Sequence, residues 1–119
     1  MRSVLEEKSV SFAIRIVKLY KYLTENKKEF VMSKQLLRSG TSIGANVAEA
    51  QYAQTKADFG TKMHIALKEA SETRYWLILL KETDFLTDLE LKSLLSDCIE
   101  LINMLVSTCK TTLPRENQS

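Results

Sequence analysis

SKQLLRSGTSIGANVAEA, residues 33–50, reads as a helix that carries two glycines in its interior, Gly40 and Gly44. Each interior glycine costs about 1 kcal/mol against alanine, so the pair needs a packing reason. Wound at about 100° per residue, Leu36, Gly40, Ile43, Val47 and Ala50 share one side. Arg38, Ser42 and Glu49 lie opposite, with Ser39 and Asn46 flanking them. Gly40, Gly44 and Ala48 form a small-residue strip along the apolar edge, where another helix backbone can come close. The polar side is short and hydrogen-bonding, unlike the Lys and Glu of a plain solvated face. This helix is therefore expected to be covered on more than one side, and the chain to have a partner.

Three more helices follow from caps and periodicity. The first is expected over Leu5 to Thr24, ending at the polar turn Glu25-Asn26-Lys27-Lys28. It carries two apolar stripes: Val10, Ala13, Ile14, Val17 and Tyr20, then Phe12, Ile16, Leu19 and Leu23. A lone amphipathic helix needs only one stripe. Two imply burial inside the subunit and against a neighbour, and Phe12, Ile16 and Leu19 are expected to need that neighbour to stay dry. The glycine-bearing helix is expected from Ser33, as N-cap, to near Tyr52. The third starts at Thr55, with Asp58 in the capping-box position, and runs to Glu82. Phe59, Met63, Ala66, Ala70, Thr73, Leu77 and Leu80 line one face of it, and Ile65, Glu69, Glu72 and Trp76 a second. Thr87-Asp88-Leu89-Glu90 is a capping box that opens the fourth, whose stripe runs from Leu91 through Leu94, Leu95, Cys98, Leu101, Ile102 and Leu105 to Cys109. The connections are short, which forces antiparallel neighbours. The expected fold is all-α, an antiparallel up-down-up-down four-helix bundle over residues 1–113 with a disordered polar tail at 114–119.

Composition agrees with this. The chain has 119 residues, enough for one modest core, with a single proline. No run of about 18 uncharged apolar residues exists to span a membrane. MRSVLEEKS places glutamates where a signal peptide has its apolar core, so a cytoplasmic protein is expected. Cys98 and Cys109 are separated by about 16 Å of helix axis and are expected to be reduced, semi-buried thiols. The net charge of +2 is unevenly spread: +5 over residues 1–38, +1 over 39–81 and −4 over 82–119. Either the basic segment faces an anionic partner, or basic and acidic helices neutralise each other within the fold.

The segments QLLRSGTSIGANVAEA and DFGTKMHIALKEASETRYWLILL, residues 35–50 and 58–80, carry a further pattern. Its elements are Arg38, Ser39, Ser42, Ile43, Asn46, Val47, Ala48, Glu49, Asp58, Phe59, Glu69 and Ala70. The pattern resembles the bacterial four-helix-bundle family of 23S rRNA-intervening-sequence proteins, over roughly residues 9–105. That family is similar in fold to the accessory protein of diversity-generating retroelements, a barrel-shaped pentamer that binds nucleic acid and its reverse transcriptase. The resemblance implies a five-fold ring for this chain and leaves its molecular activity undefined. Fold-level similarity transfers assembly better than activity.

The residues offer little catalytic chemistry. Di-metal bundles use Glu-x-x-His on two helices, whereas this chain has one histidine, His64, expected at the surface. Neither cysteine has a nearby histidine in sequence to activate it. Gly40 and Gly44 lack the spacing of a phosphate-cradling loop. Tyr75 and Trp76 are able to stack bases, but beside Ile78 and Leu79 they read as core or interface. No cofactor, metal or enzymatic activity is expected.

Arg38, Glu49, Glu69 and Glu72 are expected to form a polar network that sets register between helices or subunits. The alternatives are an anion site at Arg38, or an enzyme that uses the Arg38, Glu69 and Glu72 cluster. Ser39, Ser42 and Asn46 are counted with that network or interface, and Gly40, Gly44 and Ala48 with helix packing. The leading expectation is a pentameric scaffold that binds a macromolecule. If the partner is RNA or DNA, Arg15, Lys18, Lys21, Lys27 and Lys28 are the candidate contacts; a protein partner without nucleic-acid contact is the alternative.

Overall fold

Ser3 opens the first helix, α1 (Val4–Glu25), with a capping box: its hydroxyl accepts from the Glu6 N–H while the Glu6 carboxylate accepts from the Ser3 N–H. In the computed structural model, which describes residues 2–112, α1 is followed by α2 (Met32–Ala50), α3 (Lys56–Glu82) and α4 (Asp88–Thr112). The expected tail from Pro114 onward lies outside the described residues. The four helices form an all-α bundle in which each packs on its chain neighbour and α1 meets α4 to close the round. The pairs α1/α3 and α2/α4 stand diagonally, as an up-down-up-down order requires.

Thr87 with Glu90 makes the expected reciprocal box at 3.2 and 2.9 Å, whereas at Thr55 only half of it forms: Thr55 Oγ1 accepts from the Asp58 N–H at 3.0 Å, and the shorter Asp58 carboxylate makes no return bond. The start of α2 differs. Ser33 is not its N-cap; the helix begins one residue earlier, and the Glu29 carboxylate accepts from the N–H groups of Val31, Met32 and Ser33. A carboxylate reaching three terminal donors outcompetes a hydroxyl that serves one. Ser33 is instead buried, its hydroxyl donating to the Glu29 carbonyl at 2.8 Å. The same helix ends at Ala50, short of the expected Tyr52.

The core contains the expected faces of α2, α3 and α4, with Leu36, Ile43, Val47, Met63, Leu77, Leu80, Leu101 and Leu105 all but fully buried. On α1 the two stripes are assigned the other way round from expectation. Phe12, Ile16, Leu19 and Leu23 fill the subunit's own core, while Val10, Ile14 and Val17 remain 38, 51 and 36 % exposed. The larger side chains win the interior because they remove more apolar area from water.

The close approach of α1 and α2 falls at Gly40. A Cβ there would stand 2.8 Å from Ile16 Cγ2, whereas one at Gly44 would come no nearer than 3.4 Å to Ser9. Ala48 is exposed, beside Gly44 at a small hollow bordered by Glu6 and Ser9 of α1. Ion pairs draw basic α1 to acidic α4: Lys8 with Glu100 at 2.9 Å and Arg15 with Asp97 at 2.6 Å. Part of the uneven charge is thus neutralised inside the subunit.

Candidate functional site

Arg38, near the middle of α2, reaches across to α3. Its guanidinium donates to Glu69 at 3.1 and 3.4 Å, to Glu72, and to Gln35 Oε1 at 3.4 Å. Trp76 Nε1 donates to the same Glu72 carboxylate at 2.9 Å. The hydrogen bond from Arg38, then that from Trp76, holds the Glu72 carboxyl below the usual range, and the Glu72 bond in turn raises Arg38. One cation here faces two carboxylates, so the cluster keeps a surplus negative charge. Arg38 is 48 % exposed, so the pairing adds only up to about 1 kcal/mol to stability. Its value lies in fixing α2 against α3.

Glu49 does not join this cluster. It stands three turns further along α2 and pairs with Lys62 at 2.9 Å. Ser42 and Asn46 bond back to their own helix, Ser42 Oγ to the Arg38 carbonyl and Asn46 Nδ2 to the Ser42 carbonyl. Ser39, expected beside the polar side, is fully buried, with its hydroxyl 3.0 Å from that of Thr73 on α3. A lone serine on a helical wheel gives no sign of the threonine that will satisfy it.

A second surface lies between α1 and α2. Val10, Ala13, Ile14 and Val17 form one wall of an open groove of about 440 Å³, and Thr41, Gly44 and Ala45 form the other. Lys18 and Lys21 rim one end of it. Among the described residues no carboxylate pairs with either lysine. The α2 wall is built of small residues, so a helix laid into the groove can approach the α2 backbone.

The five candidate cations do not make one patch. Arg15 is committed to α4 through Asp97 and both the hydroxyl and carbonyl of Ser93. Lys27 lies 5.9 Å from the Tyr22 ring centroid, and Lys28 turns the chain toward α2 with φ 54°. Lys27 also borders a polar hollow shared with Lys81, Glu82, Asp84, Asp88 and Glu90, so this end of the bundle is not uniformly basic.

The thiols are separate. Cys98 is buried against the Ala70 carbonyl, and burial pushes it up to about 12; burial also raises Cys109. His64 is exposed. Among the described residues no group of three or more His, Cys, Asp or Glu is placed to hold a metal ion, and no helix is long and apolar enough to cross a membrane. Tyr75 and Trp76 pack edge to face at 5.0 Å, with Trp76 half-buried.

The family model described as 23S rRNA-intervening sequence protein matches residues 3–107. A crystal structure from Bacteroides thetaiotaomicron VPI-5482, of a protein with unknown function from the S23 ribosomal protein family, is 55 % identical. The alignment covers 90 % of this chain and 99 % of that one, with a TM-score of 0.89. No curated protein matches the chain.

Proposed function

The chain belongs to the family of 23S rRNA-intervening sequence proteins, and from that premise we propose that it is a non-enzymatic, homo-oligomeric scaffold that presents a macromolecular binding surface. The observation that carries this reading is the α1/α2 groove. Three branched apolar side chains, Val10, Ile14 and Val17, stay partly exposed side by side along this one groove. Covering apolar surface returns about 25 cal/mol per Å², so a second copy seated there gains what the single subunit forgoes. A ring of five accords with the resemblance to the accessory protein of diversity-generating retroelements. Light scattering at micromolar concentration is expected to give a mass near five times the 13.6 kDa subunit. A monomer overturns the proposal.

Nucleic acid, RNA or DNA, is the partner class we propose for the assembled ring. The support is the surplus of +5 over residues 1–38, of which Lys27 and Lys28 sit exposed in a loop outside the groove. A ring repeats such a weak patch, and repetition converts it into avidity. Retention of nucleic acid at low salt by the purified protein tests this; its absence, with a protein co-purifying instead, assigns the surface to a protein partner.

A further inference from the structure

Phe30 and Val31 stand 60 and 75 % exposed in the turn between α1 and α2, directly after Lys27, Lys28 and Glu29. The turn that holds them out is tied down on both sides. The N–H groups of Asn26 and Lys27 donate to the Tyr22 carbonyl at 2.9 and 3.4 Å, and that of Glu29 donates to the Leu23 carbonyl at 3.0 Å. Further on, the Glu29 carboxylate accepts from Val31, Met32 and Ser33, and the Ser33 hydroxyl donates to the Glu29 carbonyl. Lys28 takes a left-handed φ of 54°, which few side chains adopt unless the surrounding bonds impose it. Phe30 is thus held in solvent by a hydrogen-bonded turn, although burying its ring would have been favourable.

We propose that this turn is a stacking platform for single-stranded nucleic acid. Phe30 takes the face of an unpaired base, while Lys27, Lys28 and Lys34 neutralise the phosphates around it. The inference rests on the nucleic-acid reading above and names the class of strand, one with its bases free.

Charge supports this occupant. Lys27, Lys28 and Lys34 are exposed, and among the described residues none of them is in an ion pair. Glu29 lies among them, but its carboxylate is turned onto the amino end of α2. Exposed Glu25 is the other acid of the turn, so three lysines face two glutamates, one of them already engaged. The acidic hollow at this end is bordered by Tyr22 and Lys27, but not by Lys28, Phe30 or Lys34. A strand that crosses the turn on its α2 side therefore avoids Asp84, Asp88 and Glu90.

Aromatic groups alternate with these cations. Tyr22 is exposed with Lys27 Nζ 5.9 Å from its ring centroid, and Lys28 and Phe30 follow in the turn. An aromatic ring offers a stacking face to any base, and a lysine offers a charge to any phosphate. A duplex needs only the lysines, since its bases already cover one another, and it would leave Phe30 wet. Unpaired bases use both groups. The pinned backbone adds to this, because a platform ordered in advance loses little freedom on binding.

Fluorescence anisotropy at low salt tests the proposal with labelled oligouridylate and oligothymidylate, each set against a duplex of the same length. The single strands are expected to bind more tightly than the duplexes. Phe30→Ala is expected to weaken single-strand binding by about fivefold or more. It should leave duplex binding and the salt dependence unchanged, because stacking releases no counterions. Phe30→Trp is expected to restore the affinity, and the indole emission that it adds to that of Trp76 is expected to be quenched by the bound bases. Duplexes bound as tightly as single strands, or Phe30→Ala equal to wild type, overturn the stacking role. If Lys27→Glu with Lys28→Glu still weakens binding in that case, the nucleic-acid reading stands without it. A Phe30→Ala protein that loses its oligomeric mass in light scattering also overturns the proposal, because the phenyl group then lies between copies. No binding of any oligonucleotide by wild type removes both readings.

Discussion

Gly40 lies so close to Ile16 that a Cβ added to it would stand 2.8 Å from Cγ2 and 2.9 Å from Cγ1 of that side chain. Ile16 is β-branched and fully buried, so it has no free rotamer with which to yield. Overpacking at such a contact costs about 1–3 kcal/mol, against about 1 kcal/mol gained from helix propensity. At Gly44 the new methyl meets Ser9 at 3.4 Å, and the propensity gain survives. Gly40→Ala is therefore expected to be less stable than Gly44→Ala by about 1–3 kcal/mol. Urea denaturation of the two variants measures this; equal midpoints would place the close contact elsewhere.

Glu29 caps α2 from outside the helix. Burial alone would raise its carboxyl, but the N–H groups of Ser33, Met32 and Val31 outweigh that and hold it below the ordinary value. A depressed folded pKa gives stability that is present above the unfolded pKa and is lost as pH falls through the folded one. Glu29→Ala is expected to cost about 1 kcal/mol at neutral pH, the usual worth of a cap. The gap to wild type should narrow between about pH 5 and pH 2. A gap independent of pH would mean that packing, not charge, accounts for the loss.

Cys98 has no exposed surface, and its thiol is pushed up to about 12. The thiolate is the reactive form, so in the native protein this residue is expected to resist a disulfide reagent at about pH 8. Cys109, half-buried and only raised, should react first, and Cys98 only on unfolding. Mass spectrometry of singly labelled protein distinguishes the two sites; native-state labelling of Cys98 would show that α4 opens from α3.

Lys27 and Lys28 carry the nucleic-acid reading apart from assembly. Phosphate contacts release counterions, so affinity for RNA or DNA should fall steeply from about 50 to 200 mM salt. Lys27→Glu with Lys28→Glu is expected to weaken binding at least as much as the higher salt does, while the oligomer keeps its mass. Binding unchanged in that variant moves the contact to another surface.

The helices, their order and the starts of α3 and α4 were legible in the sequence, because each depends on residues within a turn or two of itself. Thr87 with Glu90 and Thr55 with Asp58 are such local signals. So is the four- and three-residue spacing of Leu36, Gly40, Ile43 and Val47, all buried. The Arg38 bridge to Glu69 and Glu72 was legible too, since a long cation on one helix of an antiparallel pair finds the carboxylates of the next.

What the sequence could not decide was set by packing between elements far apart in the chain. Two apolar stripes on α1 look equivalent on a helical wheel, and only the volume left by α2, α3 and α4 chose Phe12 and Ile16 for the interior. Gly40 and Gly44 share one strip, but only the position of Ile16 makes Gly40 the tight one. Arg15 reads as a free cation until α4 brings Asp97 and Ser93 to it. Ser39 reads as polar surface until Thr73 meets it in the core. Local free energies write the elements, whereas burial and pairing across the bundle depend on contacts that exist only once the helices have assembled.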